Sequence, residues 1–186
     1  PSYNQTKTWR TSTSLKYIGQ DMEKSNRTTV QYSQKNFAIQ SGITLRNFGD
    51  LVGGKNIGVQ SPSGYDETGV NTIARIQLNK AGEITISSRF FIQKDVPIYH
   101  KVLLESFKVN KIAKQERNIQ SIQWEKNLQY KFLSKIKVTQ SFQYSNEERE
   151  SNKLNSVIYK YEIDQVNSNG TSVDLYSNPT KNWQIN

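Results

Sequence analysis

Val70–Gln93 reads VNTIARIQLNKAGEITISSRFFIQ. Before its turn, Val70, Thr72, Ala74, Ile76 and Leu78 alternate with Asn71, Arg75 and Gln77, Ile73 being the exception. After it, Ile84, Ile86, Phe90 and Ile92 alternate with Thr85, Ser87, Arg89 and Gln93. A period of two puts successive side chains on opposite faces of a strand, so each run predicts a strand with one apolar and one wet face. Asn79-Lys80-Ala81-Gly82 is the reversal between them, and the pair reads as an antiparallel hairpin. Its apolar face looks either into a core shared with a second sheet or outward into lipid, and both settings use the same alternation.

The pattern recurs along the chain. Trp9, Thr11, Thr13, Leu15 and Tyr17 alternate with Arg10, Ser12, Ser14 and Lys16; Thr28, Val30 and Tyr32 form a second strand and Phe37, Ile39, Ile43 and Leu45 a third. Later runs cover Arg117–Lys126, Ser134–Ser145 and Val157 to about Leu175, and Trp183 and Ile185 begin another. The expected strands are about seven to thirteen residues long, which suits a tilted span of a hydrocarbon layer. The connections alternate in length. Short turns are expected at Gln34–Asn36, Asn79–Gly82, Asn127–Leu133 and Ser177–Thr180; longer ones at Gly19–Asn26, Asn47–Asp66, Lys94–Glu116 and Asn146–Asn155. Outer-membrane barrels show this rhythm, with short turns on the periplasmic side and long loops outside.

Composition narrows the reading. The 186 residues are 34% hydrophobic with a mean hydropathy of -0.76, yet include ten Tyr, seven Phe and three Trp, too aromatic for a disordered segment. No apolar run reaches the ~18 residues of a spanning helix. Cysteine is absent, which excludes disulfide frameworks and thiolate chemistry. A formal charge of +9 invites a nucleic-acid reading. The lysines are scattered, however, and the clusters at Lys108–Lys114 and Lys131–Lys137 read as solvated loop rims, so no nucleic-acid partner is expected.

No residue pattern carries catalysis or a cofactor. His100, beside Tyr99, reads as a solvated loop histidine, with haem ligation the sharper alternative. Gly53-Gly54-Lys55 lacks the spacing of a phosphate loop. Glu147, Glu148 and Glu150 surround Arg149 and read as a charged loop. No catalytic, cofactor-binding or metal residues are assigned, and the chain is not read as an enzyme. Trp9, Tyr17, Trp124, Tyr144, Tyr159 and Trp183 fall near predicted strand ends, where rings of a membrane strand sit at the interfaces.

Arg46-Asn47-Phe48-Gly49-Asp50-Leu51, then Gly53-Gly54, Gln60-Ser61-Pro62 and Gly64-Tyr65, resemble the middle of the barrel of TonB-dependent outer-membrane receptors. Asp95-Val96-Pro97-Ile98-Tyr99 is similar to their entry into an extracellular loop, and Asn146–Glu150 to the next loop. The resemblance implies residence in the bacterial outer membrane, lipid around the wall, and uptake of a siderophore, haem or similar nutrient with the help of a plug domain and TonB. Residues 1–186 are then one partial β-barrel domain without a plug, an all-β, antiparallel, up-and-down transmembrane segment of about eight to nine strands of a larger barrel. The alternative is a soluble, secreted β-sandwich binding module of carbohydrate-binding type. A barrel wall predicts that Ile39, Ile43, Ala74, Ile76, Ile86, Phe90, Val138 and Phe142 form one band with no second sheet over it.

Overall fold

The computed structural model describes residues 1–130, 132–180 and 183–185. Eight long strands form one antiparallel sheet: β1 (Thr8–Ile18), β2 (Glu23–Gln34), β3 (Phe37–Phe48), β6 (Tyr65–Gln77), β7 (Glu83–Pro97), β8 (Phe107–Tyr130), β9 (Leu133–Lys153) and β10 (Tyr159–Thr180). The three-residue β11 (Trp183–Ile185) is the ninth. The short β4 (Leu51–Gly53) and β5 (Gly58–Gln60) pair only with each other, inside the loop between β3 and β6. Neighbours in the sheet are neighbours in sequence, so the topology is an up-and-down meander. Among the described residues β1 pairs only with β2, and the sheet is open.

Register places the side chains. The row Trp9–Tyr32–Ile39–Ala74–Ile86–Ile122 crosses six strands, and Phe37–Ile76–Ile84–Trp124–Val138–Val173 lies just below it. Ile43–Val70–Phe90 and Leu45–Thr68–Ile92 lie above. The eight residues expected to form one band therefore share a face. The opposite face carries Arg10, Arg27, Gln40, Asn71, Arg89, Ser121, Gln143 and their neighbours in register.

No second sheet covers either face among the described residues, so the two packed sheets of the sandwich alternative are not found. A compact monomer of this mass exposes about 9,100 Å²; this chain exposes 12694 Å². Among the described residues Ala38 is the one fully enclosed apolar side chain, and Leu15, Ile43, Leu45, Ile86, Ile122 and Val173 stand exposed. The fold is a wall one residue thick.

The two ends of the wall differ. At one end the reversals are Lys35-Asn36, a single turn of 3-10 helix at Asn79–Ala81 and the tight connection between β8 and β9, part of which lies outside the described residues. Gly82 there has φ +104°, and a Cβ on it would stand 2.2 Å from the carbonyl oxygen of Glu125, so only glycine fits. At the other end lie residues 19–22, the 49–64 loop with its β4–β5 hairpin, and α1 (Tyr99–Leu104) between β7 and β8. The expected alternation of short and long connections is present only in part: those over residues 49–64 and 98–106 are long, while those over 19–22 and 154–158 are as short as the one over 78–82.

The loop expected over Gly19–Asn26 shrinks to residues 19–22, since β2 starts at Glu23. Most of the turn expected over Asn127–Leu133 is strand, since β8 runs to Tyr130. Three further expectations about length need correcting. The loop expected over Lys94–Glu116 is mostly strand, since β7 runs to Pro97 and β8 starts at Phe107. The loop expected over Asn146–Asn155 is β9 as far as Lys153. The turn expected at Ser177–Thr180 is the end of β10, and the reversal beyond it falls on residues outside the described ones. Register shifts between Phe107 and Val109 and between Ile112 and Lys114 explain the error over Lys94–Glu116, because each bulge breaks the period-two pattern that marks a strand. The eight long strands accordingly span 11 to 24 residues, not seven to thirteen.

Candidate functional site

The structure offers three surfaces: the apolar band, an upper extension of β8–β10, and the polar face. On β1–β7 the band reaches from the Phe37–Ile76–Ile84 row up to the Leu45–Thr68–Ile92 row. On β8–β10 those same upper rows hold Asn118, Glu116, Asn146, Gln165 and Asn167, and the apolar members lie lower, at Ile122, Trp124, Ile136, Val138, Val173 and Leu175. Trp9 packs on Tyr32 with ring centroids 4.7 Å apart, and Tyr32 on Phe37 at 6.2 Å, an aromatic cluster at the short-turn end. The Trp124 indole N–H donates to the carbonyl of Ala81 at 2.9 Å, at that same end. Tyr17 stands at the long-loop end of β1, and Tyr144 tops the apolar run of β9. Tyr159 is far above the band, hydrogen-bonded to Glu150, and Trp183 lies outside the residues whose side chains are described.

β8 has 24 residues, about 80 Å of extended chain at ~3.4 Å per residue, against a hydrocarbon layer of about 30 Å. Its upper half, with those of β9 and β10, rises above the band as a three-stranded extension. Ion pairs and hydrogen bonds lace it. Lys111 Nζ reaches Asp95 at 2.5 Å and Glu150 at 3.3 Å, and Lys114 reaches Glu116 at 2.7 Å. The Tyr159 and Tyr161 hydroxyls donate to Glu150 and Glu148 at 2.5 and 2.6 Å. The hydrogen bonds from Tyr161 and Asn146 hold the Glu148 carboxyl below its ordinary range, and the bond to Asp95 raises Lys111.

The sequence candidates fall as follows. His100 lies exposed on α1. Gly53 and Gly54 sit at the turn of the β4–β5 hairpin. Glu147 is held by Arg149 and Gln115, Glu148 by Tyr161 and Asn146, and Glu150 by Tyr159 and Lys111, so the three are committed to neighbouring strands. Among the described residues no group of His, Asp and Glu is placed to hold a metal. Lys108, Lys111, Lys114, Lys135 and Lys137 lie in strands, not at loop rims, while Lys131 lies outside the described residues. Lys111, Lys114, Lys135 and Lys137 each face a carboxylate.

Asp50 pins the large loop. Its carboxylate accepts the backbone N–H of Ser63 at 2.7 Å and of Gly64 at 2.9 Å, and these bonds lower its pKa. The polar face carries the N-terminal segment at its short-turn end. Arg75 donates to the Pro1 carbonyl at 3.3 Å and to Glu83 at 2.8 Å, and the Tyr3 hydroxyl donates to the other Glu83 oxygen at 3.0 Å. Burial and Glu83 push the Tyr3 hydroxyl up to about 12. Sequence reading missed the grouping of arginines on this face, because they come from different strands.

These features define an open, single-layer, antiparallel β-sheet chain with one apolar and one polar face. No protein-family model matches the sequence, and neither a curated protein nor a solved structure is detectably similar to it.

Proposed function

We propose that the chain is part of the wall and external loops of a TonB-dependent outer-membrane receptor that takes up a siderophore, haem or similar nutrient. The observation that carries this reading is the uncovered apolar band backed by a mainly polar face, on which Ile73, Phe91 and Ile119 are apolar exceptions. In water each large apolar side chain in that band forgoes about 1.5–3 kcal/mol of burial, and lipid recovers it. The drop of the band across β8–β10 is what strand tilt of roughly 35–45° produces when a level layer meets rows perpendicular to the strands. Closed barrels bring their first and last strands together, and the open β1 edge is a place for further strands of a larger wall. The polar face then lines the lumen, where plug and TonB act in the receptors that the sequence resembles. The long-loop end and the β8–β10 extension face outward and take part in ligand capture.

Sidedness tests this. In cells producing the receptor, Lys55→Cys and Val157→Cys react with an impermeant maleimide, and Lys80→Cys reacts only after the outer membrane is opened. Labelling of all three in intact cells refutes the arrangement. A monodisperse monomer of this chain in detergent-free buffer refutes the lipid-facing band itself.

A further inference from the structure

On the polar face, cations gather without counterions around two glycines. In one row Arg27, Thr44, Gly69, Phe91 and Arg117 stand side by side; in the next, Thr29, Gly42, Asn71 and Arg89. An open pocket of about 330 Å³ lies over this part of the face, lined by Arg27, Arg46, Glu67, Gly69, Asn71 and Arg89. That volume lies at the lower end of the ~300–1,000 Å³ of small-molecule sites.

The charges there do not balance. Glu67 is committed, one oxygen to Arg46 and the other accepting from Gln93 at 2.8 Å. Arg27 crosses β3 and donates to neutral partners only, the Thr44 hydroxyl at 2.8 Å and the Asn71 carbonyl at 2.9 Å. A Cβ at Gly42 would stand 3.2 Å from the Arg27 guanidinium, from Asn71 and from Thr29, so the missing side chain is what lets Arg27 lie there. Arg89 is the register partner of Asn71 and has no ion-pair or hydrogen-bond partner among the described residues. Arg117 lies 5.9 Å above the Phe91 ring. The register thus sets Arg89 beside the asparagine that already accepts from Arg27, and like charges on neighbouring strands repel until an anion offsets them.

We propose that Arg27 and Arg89, with Asn71 between them, bind a small polyanion through carboxylate or phosphate oxygens. Guanidinium forks match such oxygens bidentately, which a point charge cannot. The proposal rests on the polar face meeting water, and it narrows the cargo or transit ligand of the proposed receptor to an oxyanionic compound.

The test is calorimetric titration of the full chain in detergent micelles with citrate, with pyrophosphate, and with sucrose as a neutral control. Saturable binding of either oxyanion, and none of sucrose, is expected; which of the two binds identifies the oxygen source. Arg89→Gln, and separately Arg27→Gln, should weaken binding at least about tenfold. Lys137→Gln, on the same face but paired with Asp174 at 3.6 Å, should leave it unchanged. Circular dichroism confirms the strand content of each variant. Absence of saturable oxyanion binding in the strand-rich chain, or equal loss in Lys137→Gln, overturns the site. Quenching of Trp9 and Trp124 by bromolipid reports separately on the membrane reading: binding without quenching sinks the wall and keeps the site, and quenching without binding does the reverse.

Discussion

The lower and upper halves of β8–β10 share one continuous ladder but carry opposite chemistry on the same face. Below, the outward positions are Ile122, Trp124, Val138, Phe142 and Val173; above, they are Lys114, Glu116, Asn146, Glu148 and Gln165. The backbone does not register the change. Strand pairing continues through the level where the chemistry changes, the two upper β8 bulges lying higher, between Phe107 and Lys114, so the solvent facing the side chains is free to switch partway up. Asn146 marks the transition: it is 4% exposed and its Oδ1 has no hydrogen-bond partner. Where the outward face is charged, cross-strand carboxylate pairs replace apolar contact as the lateral tie.

Placing a charge in each half breaks the comparison most strongly. Ile122→Lys, in the lower half of β8 and in the row with Ile86, should destabilise the folded chain in lipid vesicles by about 2–4 kcal/mol, as a lysine near the bilayer midplane does. Gln165→Lys, on β10 in the extension, should cost no more than about 0.5 kcal/mol, as for an ordinary surface site. Urea unfolding of both variants from vesicles gives the two numbers. Equal costs would show that the band and the extension share one environment.

The short-turn end should respond less. Gly82→Ala forces a Cβ towards the Glu125 carbonyl at a positive φ, and a loss of about 1–3 kcal/mol is expected in the same assay. Trp124→Phe keeps the ring but removes the hydrogen bond to Ala81, a loss of about 0.5–1.5 kcal/mol. A larger loss for Trp124→Phe than for Gly82→Ala would mean that the indole, and not the turn, holds β7 to β8.

The same division governs what could be read from the sequence. The hairpin of Val70–Gln93 was legible because its register, with Ile76 opposite Ile84 and Val70 opposite Phe90, follows from period-two alternation and one turn. The Asn47–Asp66 loop was legible through its glycines to within two residues at each end, though not the small hairpin within it. The extension was not legible. Lys108, Lys111 and Lys114 look like a loop until β7 and β9 bring Asp95 and Glu150 to Lys111, and the β8 bulges hide the alternation. The arginine grouping needed more still: Arg27, Asn71 and Arg89 meet only through the combined registers of β2, β3, β6 and β7. Strand parity alone puts all three on the polar face, and that was the available signal.

The smallest effect expected is a pH window confined to the extension. Glu148 has a lowered pKa because Tyr161 and Asn146 donate to it. A carboxylate lowered on folding contributes stability that is complete above its unfolded value, about 4.3, and is lost as pH falls through the folded value. Lys111 is raised, chiefly by Asp95 with Glu150 assisting, so its contribution is complete below about 10.4 and is lost as pH rises through its folded value. Both groups are solvent-accessible, which keeps each contribution small. Amide exchange of Ile112, Arg149 and Glu162, partners across β8–β10, should therefore stay slow from about pH 5 to pH 9 after correction for intrinsic rates, and quicken outside that range. Ile86 and Ile122 have neither group near them in register and should show no such window. Equal pH dependence in both halves would mean that the ion pairs do not hold the extension together, leaving the backbone ladder as its sole lateral tie.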